Sequence, residues 1–152
     1  MFTGEITASQ SYETLEKEKD KARQADGRHG RSGALRVLVV DDDFAAKVLV
    51  TAMLEVHNCR VDRAEDGAKA LDCMASKDYD LVLTDLNMPV MDGHTLACAV
   101  RSQRPETKIV IMTDSSRMDV ETMMTGCQVD DWLFKPFGLG EIRRILDRFD
   151  WL

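Results

Sequence analysis

No apolar run in the chain approaches the ~20 residues that a membrane helix needs. The N-terminus, MFTGEITASQ, lacks a basic start followed by an apolar stretch, so no secretory leader is expected. The four cysteines, Cys59, Cys73, Cys98 and Cys127, form no CxxC pair. The three histidines, His29, His57 and His94, fall at no metal-ligand spacing. Reduced, packing thiols of a cytosolic protein are therefore expected, rather than disulfides or a zinc site. A basic surplus is also missing. Net charge is −7, and residues 1–33 hold six of the 20 basic and six of the 27 acidic side chains. The remaining residues carry the whole deficit, which leaves no basic footprint for nonspecific nucleic-acid binding. What is present is ordinary for one globular domain: 152 residues, 44% apolar and 31% charged.

Residues 1–33 differ from the rest. They are polar, with alternating charge from Glu13 to Arg23 and then the Gly/Arg-rich DGRHGRSG, which reads as a linker. The expectation is a flexible arm, or a short helix whose thin stripe of Tyr12, Leu15 and Ala22 packs on a partner or a second copy. From residue 34 strand and helix patterns alternate. LRVLVVD (35–41), DLVLTD (80–85) and KIVIMTD (108–114) are short, β-branched apolar runs, read as buried strands. CRVDRA (59–64) and DDWLFKP (130–136) are weaker strands. Ala46, Leu49, Val50, Met53, Leu54 and His57 recur at helical spacing and predict one inward helix face. DGAKALDCMAS, HTLACAVRSQ and LGEIRRILDRF predict further helices, with Ile142, Ile145, Leu146 and Phe149 inward in the last. SRMDVETMMTG predicts a poorly patterned one. Such alternation implies a parallel sheet covered on both faces. In such sheets ligands bind beyond the carboxyl ends of the strands.

Polar residues stand at those ends. The first strand closes in Asp41-Asp42-Asp43, the third in Thr84-Asp85, the fourth in Thr113-Asp114 and the fifth in Lys135-Pro136. Three consecutive carboxylates repel one another by roughly 1 kcal/mol per pair in water. An acidic turn facing water would tolerate that; a Mg²⁺ ion would relieve it, since carboxylates supply hard oxygen ligands. A carboxylate is also a nucleophile towards phosphorus, and a lysine and a hydroxyl can hold phosphoryl oxygens.

As a set, VVDD (39–42), LTDLNMPVMDG (83–93), Thr113 and LFKPF (133–137) resemble the receiver domain of two-component response regulators, over residues 34–150. The resemblance implies a doubly wound α/β fold, a five-stranded parallel sheet in the order 2-1-3-4-5, within a unit spanning residues 34–152. It implies Asp85 as phosphoacceptor, taking the phosphoryl group from a histidine kinase or histidine phosphotransfer protein. It implies Asp42 as a direct Mg²⁺ ligand, Asp41 as a ligand through water and Asn87 as a ligand through its backbone carbonyl. Lys135 would pair with the phosphoryl oxygens, Thr113 would hydrogen-bond to one, and Trp132 would stand at the switch-aromatic position. Pro136 would follow a cis peptide bond, which the residue type permits. A monomer or weak homodimer signalling as a stand-alone receiver, by phosphorylation-dependent binding to a protein target, is the matching expectation.

Three positions depart from the family pattern. Trp132 is bulkier than the usual Tyr or Phe, Asp114 replaces a small residue, and Gly126 comes about two residues early. Two rival readings follow. A degenerate receiver would act as a constitutive binding module. Alternatively, Asp41-x-Asp43 with Thr113 and Lys135 resembles the haloacid-dehalogenase-like phosphatases, with Asp41 as nucleophile and Asp43 as general acid. That family needs a further acidic metal pair well after the lysine, and it leaves Asp85 unexplained. Ala45, Val48 and Ala52, on the outer side of the first helix, suggest a docking surface for the phosphohistidine partner.

Overall fold

The computed structural model describes residues 33–116, 119, 120, 122 and 126–152, together with residue 17. The expected arm lies almost wholly outside the described residues, as does much of the helix predicted over 116–126. Strands β1 (Arg36–Val40), β2 (Arg60–Ala64), β3 (Leu81–Asp85), β4 (Lys108–Thr113) and β5 (Asp131–Phe134) alternate with helices α1 (Phe44–Val56), α2 (Gly67–Ser76), α3 (Gly93–Gln103) and, after β5, α4 (Leu139–Arg148). The strands form one sheet in the order β2-β1-β3-β4-β5, all pairs parallel. The expected strand order and doubly wound class are thus observed.

The period of two along each strand splits the core into two layers. Leu38, Val40, Val82, Ile109 and Ile111 face one way and pack under Ala70 and Met74 of α2 and Leu96, Ala97 and Val100 of α3. Val37, Val39, Leu81, Leu83, Val110, Met112 and Leu133 face the other way. They pack under Val50 and Leu54 of α1 and Ile142, Ile145 and Leu146 of α4. Because both faces are covered, the central strands read as continuous apolar runs rather than alternating ones.

Each of the first three helices starts on an aspartate. Asp43 accepts a hydrogen bond from the Ala46 N–H at 3.2 Å, Asp66 from Lys69 at 2.8 Å and Asp92 from Thr95 at 2.8 Å. Each cap satisfies a donor that the first turn leaves without an intrahelical acceptor. The third acid of the Asp41-Asp42-Asp43 run is therefore a helix cap.

Two expectations are corrected. Leu49 was expected inward and is 57% exposed, while Val56 is buried in place of His57. Helix α1 lies over the sheet along the Val50–Leu54 seam, and Leu49, one step round the helix, falls off its edge. The cysteines were expected as reduced, separate thiols. Instead Cys98 of α3 and Cys127, ahead of β5, form a disulfide with a Cα–Cα distance of 5.4 Å, while Cys59 and Cys73 stand outside it as thiols. The partners are 29 residues apart. Their meeting is a product of the topology, which seats the approach to β5 against α3, and no local spacing announces it.

A half-buried ion cluster fastens β5 to α4. Asp131 accepts from the guanidinium of Arg144 at 3.0 Å, and Arg148 lies 2.8 Å away. Its other oxygen accepts from the Trp132 N–H at 2.7 Å. Burial pushes the Asp131 carboxyl up, but that backbone N–H and the two arginines outweigh it and hold it below its ordinary value. A depressed carboxylate stabilises the fold above its unfolded pKa, and that stability is lost as pH falls through the folded value. Both arginines are about half exposed, so solvent screens the pair. Asp131→Asn is expected to cost about 1 kcal/mol near neutrality, shrinking toward zero below about pH 4. Urea unfolding at neutral and acid pH would show this; a deficit independent of pH would contradict it.

Candidate functional site

The β1 and β3 ends meet because the two strands are paired neighbours, Val40 lying opposite Thr84. Asp41 follows Val40 and is 1% exposed; Asp85 closes β3 half-buried. Asp42 points to solvent between them and the first turn of α1. One carboxylate oxygen from each of Asp41, Asp42 and Asp85 lies within 4.8 Å of the others.

Lys135 comes to the same point from β5. Its Nζ stands 3.5 Å from Asp41 Oδ2 and 3.5 Å from Asp85 Oδ1. At that distance the contact is a charge pairing more than a strong hydrogen bond. The Lys135 N–H donates to the Thr113 carbonyl at 2.8 Å, which ties the ends of β4 and β5 together. The Leu86 N–H donates to the Met112 carbonyl at 3.1 Å and ties β3 to β4. The Lys135–Pro136 peptide bond is cis.

Burial pushes the Asp85 carboxyl above its ordinary value; Lys135 draws it back down, and neighbouring Asp41 pushes it up again. For Lys135 burial alone would lower the ammonium, but Asp85 and Asp41 together outweigh it and hold it up. Three carboxylates thus share one ammonium. A hard divalent cation would balance the remaining charge, and an all-oxygen donor set of this compactness suits Mg²⁺.

Thr113 ends β4 at 1% exposure, its Oγ1 accepting from the Ser115 N–H at 3.0 Å. Trp132 is half-buried against the layer under α2 and α3, in register with Ile111. Asn87 follows Asp85 by two residues, its side chain exposed in the turn after β3, and Asp114 is exposed.

A family model described as the response regulator receiver domain matches residues 37–147. The chain belongs to the response regulator receiver family. Over 110 residues this receiver is 39% identical to the sensor histidine kinase TmoS of Ectopseudomonas mendocina, covering 71% of this chain and 11% of that protein. Over 108 residues it is 34% identical to the response regulator MprA of Mycolicibacterium vanbaalenii, covering 71% of this chain and 47% of that one. The chain thus spans less than half the length of these curated relatives. Among solved structures it is similar to the chemotaxis response regulator CheY4 of Vibrio cholerae, with TM-score 0.70 and 31% identity, covering 76% of this chain and 98% of that one. It is also similar to the receiver domain of the sensor histidine kinase PA1611 from Pseudomonas aeruginosa PAO1, with TM-score 0.71 and 28% identity, covering 78% and 98%. That structure is described with a magnesium ion coordinated in the active-site cleft.

Some residues that shape the site escape a reading of the sequence. Gly93 is one. A Cβ there would stand 2.3 Å from the Asp85 carbonyl oxygen and 2.9 Å from Leu86 Cα, both backbone atoms that cannot swing away. The Gly93 N–H also donates to the Leu86 carbonyl at 2.8 Å, so α3 starts directly against the strand end that carries Asp85. Gly93→Ala is expected to displace that backbone and destabilise the domain by about 1–3 kcal/mol. An unchanged urea midpoint would contradict the close approach. Val90 is another: it sits at φ 67° and is 83% exposed in the loop between Asp85 and α3. Phe44, 71% exposed at the start of α1, adds a further apolar surface beside Asp42.

Proposed function

We propose that this receiver domain accepts a phosphoryl group on Asp85 from a phosphohistidine of a histidine kinase or histidine phosphotransfer protein, and signals by phosphorylation-dependent protein binding. The observation that carries the reading is the position of the Lys135 ammonium, midway between Asp41 and Asp85, where three carboxylates from two strand ends converge.

In the step, an Asp85 carboxylate oxygen attacks phosphorus. A new O–P bond forms, and the bond to the donor imidazole nitrogen breaks, that nitrogen keeping the electron pair. Asp41, Asp42, Asp85 and the Asn87 carbonyl would hold Mg²⁺. When bound, the ion offsets the repulsion among the acids and the charge of the phosphoryl group. Lys135 pairs with phosphoryl oxygens as they arrive, and offsets part of the upward push of burial on Asp85. Thr113 Oγ1, now spent on the Ser115 N–H, turns to a phosphoryl oxygen. Trp132 responds to the space that Thr113 leaves. The bias on a two-state surface is the free energy of those new contacts.

The docking reading is supported by exposed apolar side chains: Phe44, Val48 and Leu49 on α1, and Val90 in the loop after β3. Val48 was expected on the outer side of α1; Phe44 and Leu49 widen that face. The unit is proposed to span 34–152, since Leu35 is 2% exposed and Trp151 packs against the core. Against the phosphatase rival, Asp43 caps α1, which commits the carboxylate that would have to serve as general acid.

Incubation with a small phosphodonor such as acetyl phosphate tests the reading. Phosphate incorporation is expected with Mg²⁺ and none with a chelator; none under either condition would favour a constitutive binding module. The same assay tests Asp114, whose exposed carboxylate adds negative charge beside the incoming anion. Asp114→Ala is expected to take phosphate several-fold faster, in line with roughly 1 kcal/mol of surface repulsion, and equal rates would sink that idea.

A further inference from the structure

We propose that Cys98 and Cys127 form a reversible thiol–disulfide modification site, oxidised by low-molecular-weight disulfides, which fixes or frees the approach to β5. The pair lies outside the carboxylate site and joins α3 to the segment 127–130. Both cysteines are half-buried, so a small thiol or disulfide has access to them. Their Cα–Cα distance of 5.4 Å falls within the range that a disulfide bridges without moving the backbone.

The surroundings suit a bond that opens and closes again. His94 stands one turn before Cys98 on α3, its Nε2 3.8 Å from Cys98 Sγ. Arg101 stands one turn after. Its guanidinium donates to the Gln128 carbonyl at 3.2 and 3.3 Å and to Asp130 Oδ2 at 2.7 Å. Asp130 in turn accepts from the Ile109 N–H at 2.8 Å and donates its own N–H to the Ile109 carbonyl at 2.8 Å. Residues 128–130 are thereby seated against α3 and β4 by contacts independent of the disulfide. The two sulfurs stay near one another after reduction. What the disulfide adds is a hold on residue 127, at the end of the connection that leaves Thr113 and returns at Trp132 and Lys135.

The chemistry is an exchange that balances. The Cys98 thiol gives its proton to the His94 ring or to water, and its sulfur attacks a sulfur of RSSR. One RS⁻ leaves, takes up a proton as RSH, and a mixed disulfide forms. The Cys127 thiolate then attacks Cys98 Sγ and expels the second RSH. The dithiol loses two electrons and two protons; RSSR gains both.

The test uses the full chain, equilibrated in glutathione buffers from fully reduced to fully oxidised, quenched with an alkylating reagent and read by intact mass and peptide mapping. One two-electron transition is expected, with a linked Cys98–Cys127 peptide pair and with Cys59 and Cys73 alkylated as thiols after unfolding. Hydrogen exchange on the two end states is expected to show amides around 127–135 opening about tenfold less in the oxidised form. Cys98→Ser and Cys127→Ser are each expected to abolish both the transition and that difference. Three results would overturn the proposal. One is a bridge that excess dithiol cannot reduce in the folded protein. Another is stable mixed disulfides with no linked pair. The third is a reduced chain that takes up one Zn²⁺ on His94, Cys98 and Cys127 and then forms no disulfide.

Discussion

Asp85→Asn is expected to abolish phosphate uptake and, at the same time, to make the metal-free domain more stable. The first effect follows from the role proposed for Asp85, since an amide oxygen is a poor nucleophile towards phosphorus and yields no acyl phosphate. The second follows from electrostatics. The surroundings of Asp85, taken together, disfavour its charge: burial and Asp41 push its carboxyl up by more than Lys135 draws it down. A carboxyl raised in the folded state contributes stability that is complete below its unfolded value near pH 4 and is lost as pH rises through the folded value. At neutral pH the ionised group is therefore a liability to the free domain. Asn is close to Asp in shape and removes it. Urea unfolding without divalent ions is expected to show a gain of about 1–2 kcal/mol at pH 7, vanishing towards pH 4. Added Mg²⁺ is expected to stabilise the wild-type domain more than the variant. A destabilised, phosphate-accepting variant would contradict both halves.

Lys135→Ala is expected to act in the opposite direction on stability. Asp41, almost wholly buried, and Asp85 would then share their pocket without a cation. Removing one partner of a fully buried ion pair costs about 3–5 kcal/mol, because the other charge is left uncompensated. The Lys135 side chain is 33% exposed, so water already supplies part of that compensation. A loss of about 2–3 kcal/mol in metal-free buffer is the expected outcome. Millimolar Mg²⁺ is expected to recover much of it, since the cation stands in for the missing ammonium. Phosphate uptake is expected to remain slow even with Mg²⁺, because the phosphoryl oxygens lose their pairing group. Recovery of stability without recovery of uptake would separate the two tasks of the lysine. A variant as stable as wild type without Mg²⁺ would mean that the carboxylates do not depend on Lys135.

These effects turn on residues whose types and strand-end positions stand plainly in the sequence. Asp41 and Asp85 each close or follow a β-branched apolar run and Lys135 follows the weaker run DWLF, and a parallel sheet carries all such ends to one edge. Strand patterns with a period of two, or wholly apolar where both faces are covered, are local signals, so the element order was legible. What escaped was set by contacts between distant segments. Leu49 fits the helical repeat as well as Val50 does, and only the limited reach of the sheet beneath α1 leaves it exposed. Gly93 reads in sequence as one more loop glycine before a helix; its necessity lies in a backbone 2.3 Å from where its Cβ would be. Cys98 and Cys127 meet because the approach to β5 is drawn against α3 by Arg101 and Asp130, a clamp that no spacing rule encodes. His94 and Cys98 do stand at the i, i+4 spacing of one helix face, and that was the one local hint of the cluster.

The most direct measurement is the identity of the phosphorylated side chain. An acyl phosphate on aspartate is reduced by borohydride to homoserine, which peptide mass spectrometry locates. After incubation with phosphodonor and Mg²⁺, homoserine is expected at position 85 and at no other acidic residue. Homoserine at position 41, or stable phosphate on a hydroxyl side chain, would contradict it.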